Sequence, residues 1–290
     1  MSNFSSGKRS ENRKLKGKIV YGLIVLSTTV SLLSLVVILG DALVDGAPYL
    51  SLRFITSFPS RFPEQAGILP ALLGSLWVVG ITALISFPIG VFAAIYLEEY
   101  APKNWLTNLI QVNIANLAGV PSIVYGLLGL GLFVQTLVLG RSILAGALTM
   151  TLLILPVIII SAREAIRSVP NIYREGAFAL GATRWQVTRQ IVLPQALAGI
   201  LTGTILSLSR AIGEAAPMIA IAALVFVTYT PTGPLDRFTV MPIQIYNWIN
   251  FPRQDFHDLA AAGIVVLLVA LLAMNSIAIV IRNRYQKKAM

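Results

Sequence analysis

REGAFALGATRWQVTRQIVLP, from Arg174 to Pro194, is a polar stretch inside an otherwise apolar chain of 290 residues. It carries three arginines, and strongly apolar segments lie on both sides of it. Across the whole chain 56% of residues are hydrophobic and only 12% are charged, whereas soluble domains carry about 25% charged residues. The composition therefore indicates a membrane protein with a polar segment in its middle.

The first half of the stretch has the signals of a short helix. Pro170 ends the preceding helix, and Asn171 is a residue type that caps the next one. We expect this helix to span Ile172 to Leu180. Gly181 suits the left-handed position that ends a helix.

The second half has the signals of another helix. Thr183 and Gln186 have the spacing of a capping box. We predict a helix from there to Leu193, with Pro194 beginning the return to the membrane. A rigid exposed element with both apolar and basic residues can dock a protein partner or lie on lipid, and physical reasoning leaves both possible.

Crossing a bilayer takes about 20 apolar residues in a helix, and the sequence contains six such segments. The fold class predicted is all-α integral membrane with six transmembrane helices. The six predicted spans are Ile19 to Leu39, Ile68 to Leu97, Leu109 to Leu139, Ile143 to Ser161, Ala196 to Val227 and Leu259 to Ile281. The first is longer than the apolar core of a signal peptide and lacks a cleavage site, so we expect a retained anchor.

Lysine and arginine positions predict the orientation. Six lie before the first span, one between spans two and three, five between spans four and five, and four after span six, which makes 16 on one side against five on the other. Both termini and the 174–194 stretch are therefore predicted to be cytoplasmic. The net charge of +10 then reflects topology at anionic lipid and not nucleic-acid binding.

Arg210 and Glu214 are charged residues at membrane depth, inside the fifth predicted span. Their spacing of four places them on one face of a helix. A charge at the bilayer centre costs at least about 2.5–3.5 kcal/mol, so the pair is expected to face the protein interior or an aqueous path. A mutually neutralising structural pair is one reading. The other is a substrate-path site, because the guanidinium fork matches oxyanions.

The chain lacks the residues that several kinds of functional site require. The chain has no cysteine and a single histidine, His257, so metal sites built on Cys or several His are excluded. No G-x-x-x-x-G-K-[ST] sequence occurs, so we predict no cofactor in this chain, with ATP bound elsewhere. Clustered acid–base residues at membrane depth are also lacking, which argues against an enzyme.

The polar stretch fits the spacing E-x-A-x3-G-x9-I-x-L-P, which resembles the EAA signature of permease subunits of bacterial ABC importers. Gly176 stands where that family often has alanine. The resemblance implies a type-1 permease fold in which a cytoplasmic coupling helix docks on a separate ATPase. The coupling residues it implies are Glu175, Gly176, Ala177, Gly181, Arg184, Ile191, Leu193 and Pro194.

Spans five and six sharpen the resemblance. The sequences SRAIGEAAPM and MPIQIYNWINFPRQDFHDLAAAGIVVLL are similar to those of PstA-type phosphate-importer permeases. This implies an ATP-driven inorganic phosphate importer of the plasma (inner) membrane, with Arg210 and Glu214 on the substrate path. The implied partners are a homologous phosphate permease (PstC-like), two ATPase subunits and an extracytoplasmic phosphate-binding protein.

Alternatives remain open at this point. An ABC importer for another oxyanion, sulfate or molybdate, would carry the same charges. A stand-alone channel or secondary transporter would need no rigid cytoplasmic helix pair. The expected division of the chain is a basic cytoplasmic N-terminus (1–18), an anchor helix (19–39), an extracytoplasmic segment (40–67), a permease domain (69–282, with its coupling segment at 163–194) and a basic tail (283–290).

Overall fold

The computed structural model describes residues 5–221 and 226–289. The first four residues of the predicted N-terminus, positions 222–225 of the predicted fifth span and the last residue of the predicted tail lie outside the described residues. Within the described ranges the regular structure is helical, apart from one isolated antiparallel bridge between Ser142 and Arg237. This agrees with the all-α prediction.

Twelve α-helices are assigned in the described ranges, and three π-helical segments extend or join some of them. The α-helices are α1 (Ser5–Gly46), α2 (Leu52–Thr56), α3 (Leu69–Ile95), α4 (Trp105–Ala118), α5 (Ser122–Gly129), α6 (Ile143–Arg167), α7 (Asn171–Ala179), α8 (Arg184–Val187), α9 (Leu193–Gly213), α10 (Ala216–Ala220), α11 (Met241–Ile249) and α12 (Gln254–Ala289). The π-helical segments are Tyr96–Tyr100, Leu130–Thr136 and Thr188–Val192.

Helix α6 is the centre of the bundle, with α3 and α9 packed against it. Its buried side chains are almost all apolar or small, because neighbours surround it on several sides. Where α9 crosses α6, a Cβ added to Gly203 would lie 2.4 Å from the Ser161 Cβ. The glycine therefore permits a helix approach that alanine would prevent.

Five helices are long and apolar enough to cross a membrane, or six if one bent pair counts as a span. Four of the predicted spans fall on single continuous helices, with only Ile68 and Ile281 outside the bounds: Lys16–Tyr49, Leu69–Tyr100, Ile143–Arg167 and Gln254–Val280. The third predicted span, Leu109 to Leu139, is not one helix. It consists of Trp105–Ala118 and Ser122–Thr136, which meet at an angle of 100°.

The bend falls at Gly119–Pro121 and has a local cause. Proline lacks an N–H and disfavours helical geometry in the residue before it. Pro121 itself is extended, with φ −54° and ψ 135°. Glycines do not interrupt the second part, since Gly126 lies inside α5 and Gly129 is its last residue before the π-helical segment continues the chain.

The fifth predicted span also needs correction. The helix that contains its first part runs from Arg184 to Gly213, so this helix begins inside the polar stretch and ends short of the predicted end at Val227. Pro194 does not interrupt this helix, contrary to the predicted helix end at Leu193, and it lies in the first turn of α9. The π-helical segment just before Pro194 widens the backbone, which accommodates a ring that would otherwise clash with the carbonyl four residues earlier.

The bundle has two ends. The signature end carries residues 163–194, hereafter the signature segment, together with the turn after α3. The opposite end carries the starts of α3 and α6, where the amides of Ile143 and Leu144 donate to the 234–236 backbone.

Helix α12 packs along α9, with Ser209 Oγ donating to Asn275 Oδ1.

Candidate functional site

The signature segment is a helix, a tight turn and a second helix, as predicted. Gly181, which ends the first helix, has φ +83°, a conformation that favours glycine. The Gln186 side chain accepts from the Thr183 amide at 2.8 Å, while the Thr183 hydroxyl accepts from the Gln186 amide. The capping box is therefore formed on both sides.

The start of α7 differs from the prediction. The N-cap position is Pro170 and not Asn171, which is the first helical residue and makes no capping hydrogen bond. Its Oδ1 instead accepts from the Arg174 guanidinium at 3.3 Å. The proline supplies the extended geometry that a helix start needs.

The predicted coupling residues divide between two faces. One group packs inward on a core formed by α3, α6 and α9, where Ala177 is buried with Val187 and Val192. The half-buried members of the set are Ile191, Leu193 and Pro194. The exposed members are Glu175, Gly176, Gly181 and Arg184.

The exposed face of the signature segment is strongly apolar. Leu180, at the end of α7, is 91% exposed, and Trp185, in α8, is 57% exposed. This face, the apolar ridge, consists of Ile172, Tyr173, Phe178, Leu180 and Trp185. Large exposed apolar side chains concentrated on one short segment favour an interaction site.

Sequence reasoning missed two acids that anchor the segment. Glu98 and Glu99 lie in the π-helical turn that follows α3. Glu99 binds Arg174 at 2.8 Å, and Glu98 binds Arg163 at 3.3 Å. The available signal was a pair of acids at the end of span two, on the side to which all these arginines had been assigned.

Arg210 and Glu214 are brought together near the far end of α9. Arg210 Nε donates to Glu214 Oε1 at 3.2 Å. The helix ends at Gly213, so Glu214 is an extended cap residue and not a member of the helical face that the spacing predicted. The two side chains differ in environment, since Arg210 is 58% exposed and Glu214 only 19%.

Glu214 lines a crevice of about 10 Å³ between α3, α6 and α9. Its other lining residues include Ser75, Val79 and Met150. Such a volume holds about one water molecule, which is too little for an oxyanion. An anion that meets this pair would therefore approach the exposed guanidinium and not the crevice.

No group of three or more His, Asp or Glu side chains that could hold a metal ion occurs within residues 5–221 and 226–289. The single histidine, His257, lies at the opposite end of the bundle, where its Nε2 is 2.9 Å from the Phe251 carbonyl oxygen. At the predicted sites, the structure thus presents exposed apolar side chains on the signature segment and a charge pair whose arginine is exposed.

The sequence also matches a known protein family over most of its length. Residues 86–289, which include the signature segment, α9 and α12, match the model of the binding-protein-dependent transport system inner membrane component. The chain belongs to this family. It is accordingly a permease subunit of an ABC importer and a multi-pass protein of the inner membrane, and as such a transport component rather than a catalyst.

Relatives of this permease include two of similar length. It is 34% identical over 277 residues to the probable ABC transporter permease protein YqgI of Bacillus subtilis, covering 91% of this chain and 94% of the relative. It is 35% identical over 264 residues to the phosphate transport system permease protein PstA of Pasteurella multocida, covering 91% and 93%. The resemblance to PstA-type permeases found in the sequence is thus confirmed.

The fold of this permease has solved counterparts. The bacterial alginate ABC transporter, crystallised in complex with an alginate-bound periplasmic protein, contains a chain that matches with a TM-score of 0.67 and 18% identity. The match covers 95% of this chain and 98% of that one. At this identity the likeness establishes the permease fold alone.

Proposed function

We propose that this permease is the transmembrane subunit of an ATP-driven inorganic phosphate importer. The observation that carries the proposal is the Arg210–Glu214 pair, whose guanidinium is exposed while its carboxylate is largely buried. A permanently charged planar donor suits a phosphate oxyanion. The identity of about 35% to a phosphate transport permease over most of both chains supports the same substrate.

The signature end is assigned to the cytoplasm. Lysines and arginines are concentrated there, as the positive-inside rule requires of cytoplasmic loops. With this orientation both termini are cytoplasmic, and the 40–67 segment is extracytoplasmic. The permease domain proper is residues 69–282, preceded by an anchor at 19–39 and basic residues at 1–18, and followed by the 283–290 tail.

The apolar ridge is the surface assigned to a separate ATPase. Exposed aromatic and leucine side chains such as Trp185 and Leu180 provide anchors of the kind that dominate protein interfaces. Arg184 lies exposed beside them and can meet acidic residues at the rim. ATP is bound by that partner, and this chain carries no cofactor.

The remaining partners follow from the exposed pair and the family. Because Arg210 is uncovered in the single chain, a homologous permease (PstC-like) is assigned to complete the path around it. Two ATPase subunits bind the two signature segments, and an extracytoplasmic phosphate-binding protein delivers the anion. In this alternating-access cycle Glu214 holds Arg210 between anions and releases it when phosphate arrives.

The substrate is tested in the native host. The gene is deleted, and uptake of labelled phosphate and labelled sulfate is measured at low external concentration, with membrane levels of each complementing protein checked. Loss of phosphate uptake that wild type restores and Arg210→Ala does not is the expected result. Unchanged phosphate uptake with reduced sulfate uptake would contradict the phosphate assignment and favour an importer for another oxyanion.

A further inference from the structure

Two arginine–glutamate contacts join the signature segment to the turn after α3. Arg174, in α7, binds Glu99, and Arg163, in α6, binds Glu98. The arginine side chains are 14–15% exposed and the glutamates 12–21% exposed. Neither contact is a solvated surface pair, so each contributes to how the elements are held.

The two contacts differ in how well they are satisfied. The Arg174 guanidinium donates to Glu99 Oε1 through Nε at 3.2 Å and Nη2 at 2.8 Å. It also donates to the carbonyl oxygens of Ile166, at 2.9 Å, and Val169. Every side of this guanidinium that faces protein is occupied.

Arg163 is much less well satisfied. It reaches Glu98 through Nη2 alone, at 3.3 Å. Its Nε is buried without a hydrogen-bond partner, and the hydroxyl of Tyr100 beside Glu98 and Glu99 in the same turn is buried and unpartnered as well. Buried polar groups left unpaired are costly, so a rearrangement that pairs them is favourable.

Helix α3 connects this end to the charge pair. Glu99 follows its last turn, while Ser75 and Val79 near its other end line the crevice that holds Glu214. Twenty residues of nearly continuous helix separate Val79 from Glu99, a rise of about 30 Å. A displacement of the signature segment that is transmitted to α3 therefore changes the walls around Glu214.

We infer that Arg174 and Glu99 are positioning residues that make α3 move with the coupling segment, and that Arg163–Glu98 is a joint that changes partners during transport. The inference rests on the proposed function. The satisfied contact keeps its partners through the cycle. In the Arg163–Glu98 contact, Arg163 moves during transport to a position in which its Nε has a hydrogen-bond partner.

The test uses the assembled importer in proteoliposomes, with labelled phosphate accumulated per ATP hydrolysed as the readout. Glu99→Gln is expected to leave assembly and basal hydrolysis unchanged and to lower phosphate per ATP about tenfold. The charge swap Glu99→Arg with Arg174→Glu is expected to recover at least part of that loss. Arg167→Gln, at the exposed end of α6, is the matched control and should change nothing.

A second measurement remains decisive if the swap fails to assemble. The chain has no cysteine, so cysteine pairs can be joined by a cleavable bifunctional thiol reagent. Linking Glu99→Cys to Arg174→Cys should restore coupling, because two residues that stay in contact throughout the cycle can be joined covalently without blocking any movement. Linking Glu98→Cys to Arg163→Cys should block transport, and cleavage of the link should release it.

Three outcomes would overturn the inference. One is a proportional fall of hydrolysis and transport in Glu99→Gln, which would indicate a purely structural contact. Another is a 99–174 tether that blocks transport, and the third is a 98–163 tether that does not. A wild-type complex that moves no phosphate would instead refute the proposed substrate, and the same variants would then be scored by stimulation of hydrolysis by the binding protein.

Discussion

The two best-defined arginine–glutamate contacts of this permease, Arg174–Glu99 and Arg210–Glu214, occupy opposite environments. The first is 14% and 12% exposed, and backbone carbonyls complete its hydrogen bonding. The second has one hydrogen bond of 3.2 Å and an arginine that is 58% exposed. The Arg174–Glu99 contact is thus completed by groups of this chain alone, whereas the charge pair near the far end of α9 is not.

The difference separates two kinds of role. A buried ion pair whose remaining donors are satisfied fixes elements relative to one another. An arginine left open at membrane depth is costly unless another molecule or water meets it. We therefore expect changes at the Arg174–Glu99 contact to affect coupling, and changes at Arg210 and Glu214 to affect turnover.

The largest expected effect is on ATPase binding by the apolar ridge. Leu180→Asp places a charge at the most exposed ridge position and should weaken binding of the ATPase subunit about 100-fold, as loss of an interface hot spot does. Co-purification of the two subunits measures it. Leu235→Asp, at a position 64% exposed at the opposite end of the bundle, is the control and should bind normally. Equal binding by both variants would exclude the ridge as the docking surface.

A smaller effect is expected at the charge pair. Glu214→Gln removes the counter-charge of Arg210 and should slow phosphate uptake about tenfold, with membrane level and ATPase co-purification unchanged. The reason is that the neutral glutamine side chain cannot hold Arg210 between anions as the Glu214 carboxylate does, so each phosphate would be released more slowly. Uptake at the wild-type rate would contradict the exchange of Glu214 for phosphate, and loss of the protein from the membrane would assign the pair a structural role.

Two glycines of the signature segment, Gly181 and Gly176, allow the effect of backbone strain to be measured against a position without strain. Gly181→Ala forces a side chain into φ +83° and should cost about 1–2 kcal/mol of local stability. The same change at Gly176, in a helix with no atom near its Cβ position, should be neutral or stabilising by up to about 1 kcal/mol. Thermal unfolding of the purified subunit compares them, and equal midpoints would show that the turn tolerates either residue.

The smallest effect is a pH dependence at the opposite end. Hydrogen bonds from the amides of Thr232 and Gly233 and from the Thr232 hydroxyl lower the pKa of the Asp236 carboxyl below its usual 3.8. A lowered folded-state pKa means that this contribution is present above pH 3.8 and is lost as the pH falls through the folded value.

Thermal unfolding between pH 7 and pH 3 checks this pH dependence. The difference in midpoint between wild type and Asp236→Asn should stay constant from pH 7 to pH 5 and narrow only in the acid range. If the difference in midpoint changed between pH 7 and pH 5, a titratable group other than Asp236 would be responsible for the pH dependence.

The sequence was sufficient to predict the elements that depend on local signals. Thr183 with Gln186 and the lone Gly181 predicted the capping box and the turn, and continuous apolar runs predicted four spans that are single helices. What failed depended on geometry that spacing does not carry. Apolar content alone could not show the 100° bend at Gly119–Pro121, nor that a π-helical segment lets the chain pass Pro194 without a break.

The candidate site was predicted unevenly for the same reason. Arg210 and Glu214 were found because charge at membrane depth is rare, yet their unequal exposure depends on where α9 ends. Glu98 and Glu99 were missed because their partners Arg163 and Arg174 lie 65 and 75 residues away along the chain. Pairing at that separation depends on the packing of α3 against α6, which no local pattern encodes.

The most direct test of the claim that Arg210 meets the transported anion uses the absence of cysteine in this chain. Arg210→Cys in the assembled importer would be treated with a cationic, a neutral or an anionic thiol reagent, with Leu32→Cys on the outer helix α1 as the control. We predict that phosphate uptake is lost in Arg210→Cys and is partly restored by the cationic reagent alone. Full modification of the cysteine with no difference between the three reagents would contradict an electrostatic role for Arg210 in transport.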